Sequence, residues 1–202
     1  MERDRERWDG RHTDADAPRP RAPDAAAAAG LIDQLPATGR LLDVACGTGP
    51  VTLWALERGL DAVAIDVSGV AIDTLIRAAS SPARLDARRI DLDGGLPDDL
   101  GEFELVVCQR FRDRDVLRTL PALVAPGGVL LVTVLSEVGA VQPGPFHAPA
   151  GELAALLPVD DGRWTTLTST EADGEASIVI RRETPASSKV GPRMRAPGGS
   201  RT

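Results

Sequence analysis

The sequence lacks tyrosine altogether, and it has only three phenylalanines, three tryptophans and two cysteines among its 202 residues. So few cysteines exclude a disulfide-rich scaffold. Cys46 and Cys108 both lie in apolar, strand-like runs, where a thiol usually packs as a small buried hydrophobe. Lysine is nearly absent as well, because Lys189 is the only one and arginine supplies the remaining basic charge. We attribute this bias to a high-GC coding composition rather than to function.

Long apolar runs are absent too. The first residues contain no apolar segment typical of a signal peptide, and no stretch reaches the ~18 consecutive apolar residues of a membrane span. We therefore expect a cytoplasmic protein with no membrane partner. The net charge is −7, and residues 22–184 hold 13 basic against 24 acidic side chains. Because nucleic-acid binding depends on neutralising phosphates with Lys and Arg, this balance argues against a nucleic-acid partner.

Strand-like and helix-like segments alternate along the chain, which at this length is expected to fold as one domain. We predict strands at 40–45, 61–66, 83–91, 103–108, 129–135, 164–170 and 176–182, and helices at 24–35, 51–58, 68–79, 113–124 and 149–157. This order predicts an α/β fold: a Rossmann-like, doubly wound, seven-stranded and mostly parallel sheet with a C-terminal antiparallel hairpin. The Asp173-Gly174 pair suits the turn of that hairpin.

Composition divides the chain into three parts. Residues 1–24 are charged and proline-containing and form an N-terminal arm, irregular or with a short helix, and residues 25–184 form the folded domain. Residues 185–202, rich in Pro, Gly, Ser and Arg, predict a disordered tail. Trp8 is the exception in the arm, because an indole gains much from burial. It docks either on the body of the domain or, as part of a lid, on a ligand.

The most informative stretch runs from Leu41 to Pro50, an apolar strand that breaks into a turn with Gly47 and Gly49. A turn between a strand and a helix is where α/β sheets bind ligands. Pyrophosphate-binding turns have a third small residue, glycine or alanine, where this sequence has Thr52, and they gain nothing from a negative charge. Asp43 instead suits a cationic ligand, since a partly desolvated carboxylate stabilises an ammonium or sulfonium group.

The spacing Asp43-x-x-x-Gly47-x-Gly49 resembles the glycine-rich motif of class I S-adenosylmethionine-dependent methyltransferases. The resemblance implies S-adenosyl-L-methionine as the cofactor. It also implies that Asp66, at the end of the second strand, accepts hydrogen bonds from both ribose hydroxyls, and that Asp91 receives the adenine amino group. No metal site is predicted.

This resemblance extends over most of residues 39–135, including Pro126-Gly127-Gly128 before the fifth strand. It implies that residues 25–184 form a methyltransferase domain. Together with the narrower likeness described next, it predicts cofactor contacts at Trp8, Arg11, Asp43, Ala45, Gly47, Gly49, Asp66, Val67, Asp91, Leu92 and Gln109.

A narrower likeness comes from Trp8-Asp9-Gly10-Arg11-His12, from residues 42–49, and from Arg110-Phe111 with Arg114. These segments are similar to small bacterial methyltransferases related to the tellurite-resistance methyltransferase. In those proteins the N-terminal segment is thought to close over the cofactor, so the same is expected of the arm here. His12 departs from the pattern, because a tyrosine is commoner there; so does Asp113, where a histidine is often seen.

The candidate catalytic residues are Arg110, Glu137 and His147, although the sequence assigns none of them a definite role. Arg110, at the end of the fourth strand, suits either an anionic substrate or a salt bridge. Glu137 follows the fifth strand, at the edge where α/β sheets place their active sites. His147 lies in a proline-rich loop beyond the same strand, where a solvated histidine is the plainer alternative.

Three hypotheses for function follow. The first is methyl transfer from S-adenosylmethionine to a small soluble acceptor by in-line displacement, which needs no dedicated base when the acceptor is already ionised. The second is a protein that binds S-adenosylmethionine or S-adenosylhomocysteine without catalysis. The third, an NAD-dependent oxidoreductase, is disfavoured by Asp43 and Thr52. The sequence leaves the methyl acceptor and the oligomeric state open.

Overall fold

The computed structural model describes residues 2–13, 17–159 and 161–185, with side chains from Glu6 onward in the first of these segments. Its helices are Glu2–Thr13 (α1), Asp24–Ala28 (α2), Pro50–Arg58 (α3), Gly69–Ala78 (α4), Arg114–Thr119 (α5) and Glu152–Leu156 (α6). Its strands are Arg40–Val44 (β1), Asp61–Asp66 (β2), Leu85–Arg89 (β3), Phe103–Gln109 (β4), Val124–Leu135 (β5), Trp164–Ala172 (β6) and Glu175–Arg182 (β7).

In the described residues, the strands form one seven-stranded sheet in the order β3-β2-β1-β4-β5-β7-β6. Strands β1 to β5 pair in parallel, whereas β7 runs antiparallel to both β5 and β6. The predicted α/β fold is therefore confirmed, including the terminal hairpin. The winding reverses between β1 and β4, which are neighbours in the sheet but not along the chain. Ligands of such sheets bind at this switch point, beyond the carboxyl ends of the strands.

Helices cover both faces of the sheet, and the alternation of side chains along β1 decides which residues meet them. Leu42 and Val44 pack in a cluster that includes residues of α5 and α6. Leu41 packs in a second cluster, on the other face, with residues of α2 and α3. Asp43 shares the face of Leu41, so the strand directs this one acidic side chain toward α3.

The predicted helix at 24–35 is wrong in extent. Helix α2 ends at Ala28, and Gly30 takes a left-handed conformation with φ of +67°. The Leu31 N–H then donates to the Ala26 carbonyl, an arrangement that ends helices at glycine. Only a 3-10 turn at Ile32–Gln34 follows. Pro23 occupies the N-cap position of α2, and Asp24 begins its first turn.

The predicted helix at 113–124 is also shorter. Asp113 caps α5 by accepting from the N–H groups of Asp115 and Val116, both at 2.9 Å. The α-helix ends at Thr119, and Pro121 follows in a 3-10 turn, because proline has no N–H to continue the α-helical pattern. Strand β5 begins at residue 124 rather than at the predicted 129, and its pairing with β4 is irregular over that extension.

The remaining predictions agree in element type and differ in their ends. The predicted strand 83–91 is shorter, as β3 spans Leu85–Arg89, and the predicted helix 149–157 is reduced to α6. The arm contains the helix α1, and the predicted tail lies outside the described residues except for residue 185. In the described part of the chain, no helix has the length and hydropathy to cross a membrane.

Replacing Gly49 with alanine should destabilise the fold by about 2–4 kcal/mol. Gly49 has φ of +78°, and a Cβ there would overlap with Cδ1 of Leu75, a fully buried residue of α4. Left-handed strain and overpacking both add to the cost. Gly30→Ala is the matched control, since its φ is +67° but a Cβ there meets nothing within 4 Å. Equal losses for both variants in urea unfolding would contradict the overpacking contribution.

Candidate functional site

The switch point between β1 and β4 carries backbone strain on both sides. Ala45 follows β1 with φ of +55°, and Arg110 follows β4 with φ of +58°, although neither residue is a glycine. Non-glycine residues in this conformation cluster at functional sites, because surrounding contacts must hold them there. The strain therefore coincides with the edge of the sheet at which the sequence predicts a ligand site.

Asp43 is a buried carboxylate at this edge, with only 4% of its surface exposed. Thr52, fully buried in α3, donates its hydroxyl hydrogen to Oδ2 of Asp43 at 2.6 Å. Burial raises the pKa of Asp43 to about 7, against the hydrogen bonds from Thr52 that lower it, and the charge of Asp66 raises it further. A cation bound nearby would favour the ionised form of this side chain.

Asp66 ends β2 and ties two loops together. Its Oδ2 accepts the N–H of Gly47 and its Oδ1 accepts the N–H of Ser68, both at 2.8 Å. Each carboxylate oxygen has a second lone pair, so two acceptor positions remain for a ligand. The carboxylate is 7% exposed, so it lies at the base of the site rather than on its rim.

Helix α1 lies over this pair of loops. Asp9 accepts the hydroxyl hydrogen of Ser68 at 2.6 Å, and a Cβ placed on Gly47 would be 3.5 Å from Cε1 of His12. The rings of Trp8 and His12 are stacked with their centroids 6.2 Å apart. Arg11, also a predicted cofactor residue, has its guanidinium 5.6 Å from the Trp8 ring centroid. The arm is thus fastened to the glycine turn and to the start of α4.

The other predicted cofactor residues lie along the same edge of the sheet. The Ile90 N–H donates to the Asp66 carbonyl, which brings the segment after β3 beside Asp66. Asp91 follows, and its Oδ1 accepts the N–H of Asp93, while Leu92 is buried in the core. Val67 directly follows Asp66 and is half-buried.

Gln109 and Arg110 follow the end of β4 and are both engaged with the protein itself. Oε1 of Gln109 accepts the N–H of Asp24 at 2.9 Å. The Arg110 guanidinium pairs with Glu175 at 3.1 Å and with Asp24 at 3.6 Å, and its side chain is 56% exposed. Of the two alternatives for Arg110, the structure contains the salt bridge.

The two candidates beyond β5, Glu137 and His147, differ in their exposure and in their contacts. Glu137 is exposed, and its N–H donates to the Ala148 carbonyl. His147 closes a turn instead, because its Nδ1 accepts the N–H of Gly144 at 3.0 Å. Glu137 and His147 therefore share one loop, whereas Arg110 is turned toward the hairpin and α2.

The segment between β5 and α6 is held by the hairpin. Oε1 of Glu171 in β6 accepts the hydroxyl hydrogen of Ser136 at 2.7 Å, and its Oε2 accepts the N–H of Gly151 at 2.9 Å. Within the segment, Val141 and Phe146 are exposed apolar side chains. The guanidinium of Arg7 lies 5.0 Å from the Phe146 ring centroid, so α1 also contacts this segment.

A half-buried ion pair lies beside the same segment. Arg112 donates to both carboxylate oxygens of Glu152 at 2.7 and 2.9 Å, and Glu152 is only 10% exposed. These hydrogen bonds hold the pKa of Glu152 below its usual range. The pair fixes the start of α6 against the loop that follows β4.

Both cysteines are buried free thiols, and burial raises the pKa of each. This environment agrees with packing rather than nucleophilic chemistry. Within the described ranges, no group of three or more His, Cys, Asp or Glu side chains is arranged to hold a metal ion.

Two roles at this site were not predicted from the sequence. Thr52 was considered only as a residue that breaks the pyrophosphate pattern, yet its hydroxyl is the partner of Asp43. Asp9 lies within the motif quoted for the arm, but its contact with Ser68 joins residues 59 positions apart. Ser68 also caps α4, because its Oγ accepts the N–H of Ala71 at 3.1 Å.

Comparison with known proteins agrees with this geometry. Residues 41–128 match the family described as "Methyltransferase domain". The matched residues make up less than half of the chain. The match agrees with the resemblance to class I S-adenosylmethionine-dependent methyltransferases and with the enzyme class and cofactor predicted from it.

Individual relatives match over different lengths. Ribosomal protein L11 methyltransferase of Bordetella parapertussis is 32% identical over 124 residues, which are 59% of this chain and 38% of that protein. The chain thus spans less than half of this curated relative. The crystal structure of TehB from Haemophilus influenzae matches with a TM-score of 0.61 and 17% identity, covering 79% of this chain and 62% of that chain.

A further crystal structure, an S-adenosylmethionine-dependent methyltransferase from Mesorhizobium loti, matches with a TM-score of 0.60 and 19% identity. That match covers 79% of this chain and 99% of the other. At such identities the structural matches show a shared fold. They agree with the narrower resemblance in fold and leave the substrate undetermined.

Replacing Thr52 with valine should destabilise the protein more at high pH than at low pH. Asp43 has a pKa of about 7 in the folded state, above its ordinary 3.8, so its burial costs stability as pH rises from about 4 to 7. Without the hydroxyl, the ionised carboxylate loses a hydrogen bond of about 1.5–3 kcal/mol. We expect that loss in urea unfolding at pH 8.5 and a smaller one at pH 6.

Thr166→Val is the matched control for this measurement. The Oγ1 of Thr166 is buried and has no hydrogen-bond partner among the described residues, so its removal should cost little at either pH. A loss for Thr52→Val that is the same at both pH values would contradict the coupling to Asp43.

Proposed function

We propose that this protein transfers a methyl group from S-adenosylmethionine to a small soluble acceptor by in-line displacement. The observation that carries the proposal is the pair of carboxylates, Asp43 and Asp66, at the carboxyl ends of neighbouring strands and beside the glycine turn. This edge of the sheet is negative, and a cationic cofactor compensates that charge. A pyrophosphate would add to it.

The residues fit the cofactor in chemistry. Asp66 keeps two free acceptor positions, which suits the paired hydroxyls of a ribose. Asp43 suits the cationic end, because a positive charge offsets its desolvation. When bound, S-adenosylmethionine supplies a methyl group on a sulfonium sulfur, which makes the sulfur a good leaving group.

The chain's own part in the transfer is then to position the cofactor and the acceptor and to exclude water from the site. Helix α1 covers the glycine turn through His12 and closes on α4 through Asp9. Positioning two reactants in line lowers the barrier mainly by removing the entropy cost of their encounter. Arg110 and His147 are both engaged in contacts within the protein, which leaves exposed Glu137 as the candidate to meet an acceptor.

Two observations bear on the nature of the acceptor. One curated relative is named for methylating ribosomal protein L11, and it exceeds this chain greatly in length. Helix α1 lies against Gly47 through His12, and its Arg7 contacts Phe146 in the segment between β5 and α6. Because these segments restrict access to the site, we favour a small acceptor over a folded protein. A protein acceptor is the competing outcome of an activity assay.

S-adenosylhomocysteine should bind the full chain in isothermal calorimetry, and NAD should not. Asp66→Ala should weaken the binding by about 2–4 kcal/mol, because two charge-assisted hydrogen bonds are lost and water replaces them in part. Asp98→Ala, at an exposed acid in the loop before β4, is the control and should bind as the wild type does.

Release of S-adenosylhomocysteine in the presence of small thiol, amine or carboxylate acceptors tests catalysis. Binding without any such turnover would favour the second hypothesis, a binding protein. Absence of binding by a folded wild-type chain would overturn the proposed function itself.

The affinity for S-adenosylmethionine should rise with pH through about 7. Asp43 is mostly protonated at pH 6 and mostly ionised at pH 8, given its pKa of about 7, and the ionised form attracts the sulfonium cofactor. We expect an increase of roughly tenfold between these values. Asp43→Asn keeps an acceptor for Thr52 but cannot ionise, so its affinity should change less. Identical pH profiles for both proteins would contradict the assignment of Asp43.

A further inference from the structure

Helix α1 is joined to the body of the domain through the carboxylate of Asp9. Its Oδ1 accepts the hydroxyl hydrogen of Ser68 at 2.6 Å and the N–H of Val70 at 3.3 Å. The hydrogen bond from Ser68 is the chief cause that lowers the pKa of Asp9, and the charge of Arg89 contributes. Asp9 is therefore ionised near neutral pH, and its bonds to α4 are charge-assisted.

Ser68 connects Asp9 to Asp66 in the proposed cofactor site. The residue is fully buried, and its N–H donates to Oδ1 of Asp66 at 2.8 Å. Its hydroxyl has one hydrogen to donate, and that hydrogen goes to Asp9. Asp66 in turn accepts the N–H of Gly47 through its other oxygen. Hydrogen bonds thus run without a gap from Asp9 through Ser68 and Asp66 to Gly47.

The same helix also meets the far end of this chain of hydrogen bonds. His12 lies three residues after Asp9, so both side chains project from one face of α1. While Asp9 holds Ser68, His12 lies against Gly47, where an added Cβ would be 3.5 Å from its ring. Helix α1 therefore spans the two loops that Asp66 ties together, and it contacts each of them.

We propose that Asp9 is a positioning residue that couples closure of the arm to the orientation of Asp66. Its contact with Ser68 holds α1 over the glycine turn and keeps the loop that carries Ser68 against Asp66. Release of the cofactor then requires this contact to open. The inference rests on the proposed function, since it assigns the role of Asp9 at the same cofactor site.

The rate at which S-adenosylhomocysteine leaves the full chain tests this role. In stopped-flow measurements, Asp9→Ala should raise the dissociation rate about tenfold while the association rate stays within about twofold. Asp9→Asn should recover part of the slow release, because the amide oxygen still accepts from Ser68. Glu6→Gln, at an exposed residue of α1, should leave both rates unchanged.

Limited trypsin digestion gives a readout that needs no ligand. Cleavage after Arg7 and Arg11, identified by mass spectrometry, should be faster in Asp9→Ala than in the wild type or in Glu6→Gln. A general loss of stability would speed cleavage throughout the chain, whereas opening of the arm speeds it in α1 before other sites.

The outcomes separate this inference from the proposed function. Unchanged dissociation and unchanged cleavage of α1 in Asp9→Ala would overturn the role of Asp9 while leaving cofactor binding intact. A wild-type chain that does not bind S-adenosylhomocysteine would overturn the proposed function and the cofactor role of Asp9 together. Faster dissociation with faster cleavage of α1, both partly restored by asparagine, supports the coupling.

Discussion

The carboxylate of Asp66 is the contact on which this edge of the molecule depends. It accepts the N–H groups of Gly47 and Ser68, which lie in two different loops. Charge-assisted hydrogen bonds of this kind are roughly twice as strong as neutral ones. They bring the turn after β1 and the start of α4 to a common point at the end of β2. Helix α1 contacts both loops, so its position depends on the hydrogen bonds that hold the two loops at Asp66.

Strain at the switch point is tolerated because the flanking strands are firmly paired. Val44 pairs with Cys108 just before Ala45 and Arg110 leave the sheet in left-handed conformations. Such a conformation costs about 1–2 kcal/mol for a residue with a Cβ. Arg110 offsets part of that cost through its N–H, which donates to the Thr133 carbonyl at 2.7 Å. The buried ladder of β1, β4 and β5 thus stabilises the bends beside the proposed cofactor site.

The fold could be predicted because its signals are local: apolar runs of strand length, a glycine turn after β1, and Asp173-Gly174 for the hairpin. Helix lengths were less predictable, since the end at Gly30 depends on one left-handed residue within an alanine-rich run. The motif from Asp43 to Gly49 located the turn at the switch point between β1 and β4. The contacts of Asp9 and Thr52 could not be predicted, because a hydrogen bond between distant segments leaves no periodic pattern. Arg110 shows the same limit, as its partner Glu175 lies 65 positions away.

The hydrogen bonds of Glu171 determine which parts of the site can vary independently of each other. It anchors the segment between β5 and α6 to the antiparallel hairpin, through Ser136 and Gly151. The two carboxylates proposed to bind the cofactor, by contrast, are carried by β1 and β2, on the opposite side of the switch point. The two sides of the site are therefore supported by different parts of the sheet. Under the proposed function, substitutions in the hairpin half reshape one wall of the site while the other wall keeps its hydrogen bonds, so that acceptor choice can change without a change in cofactor binding.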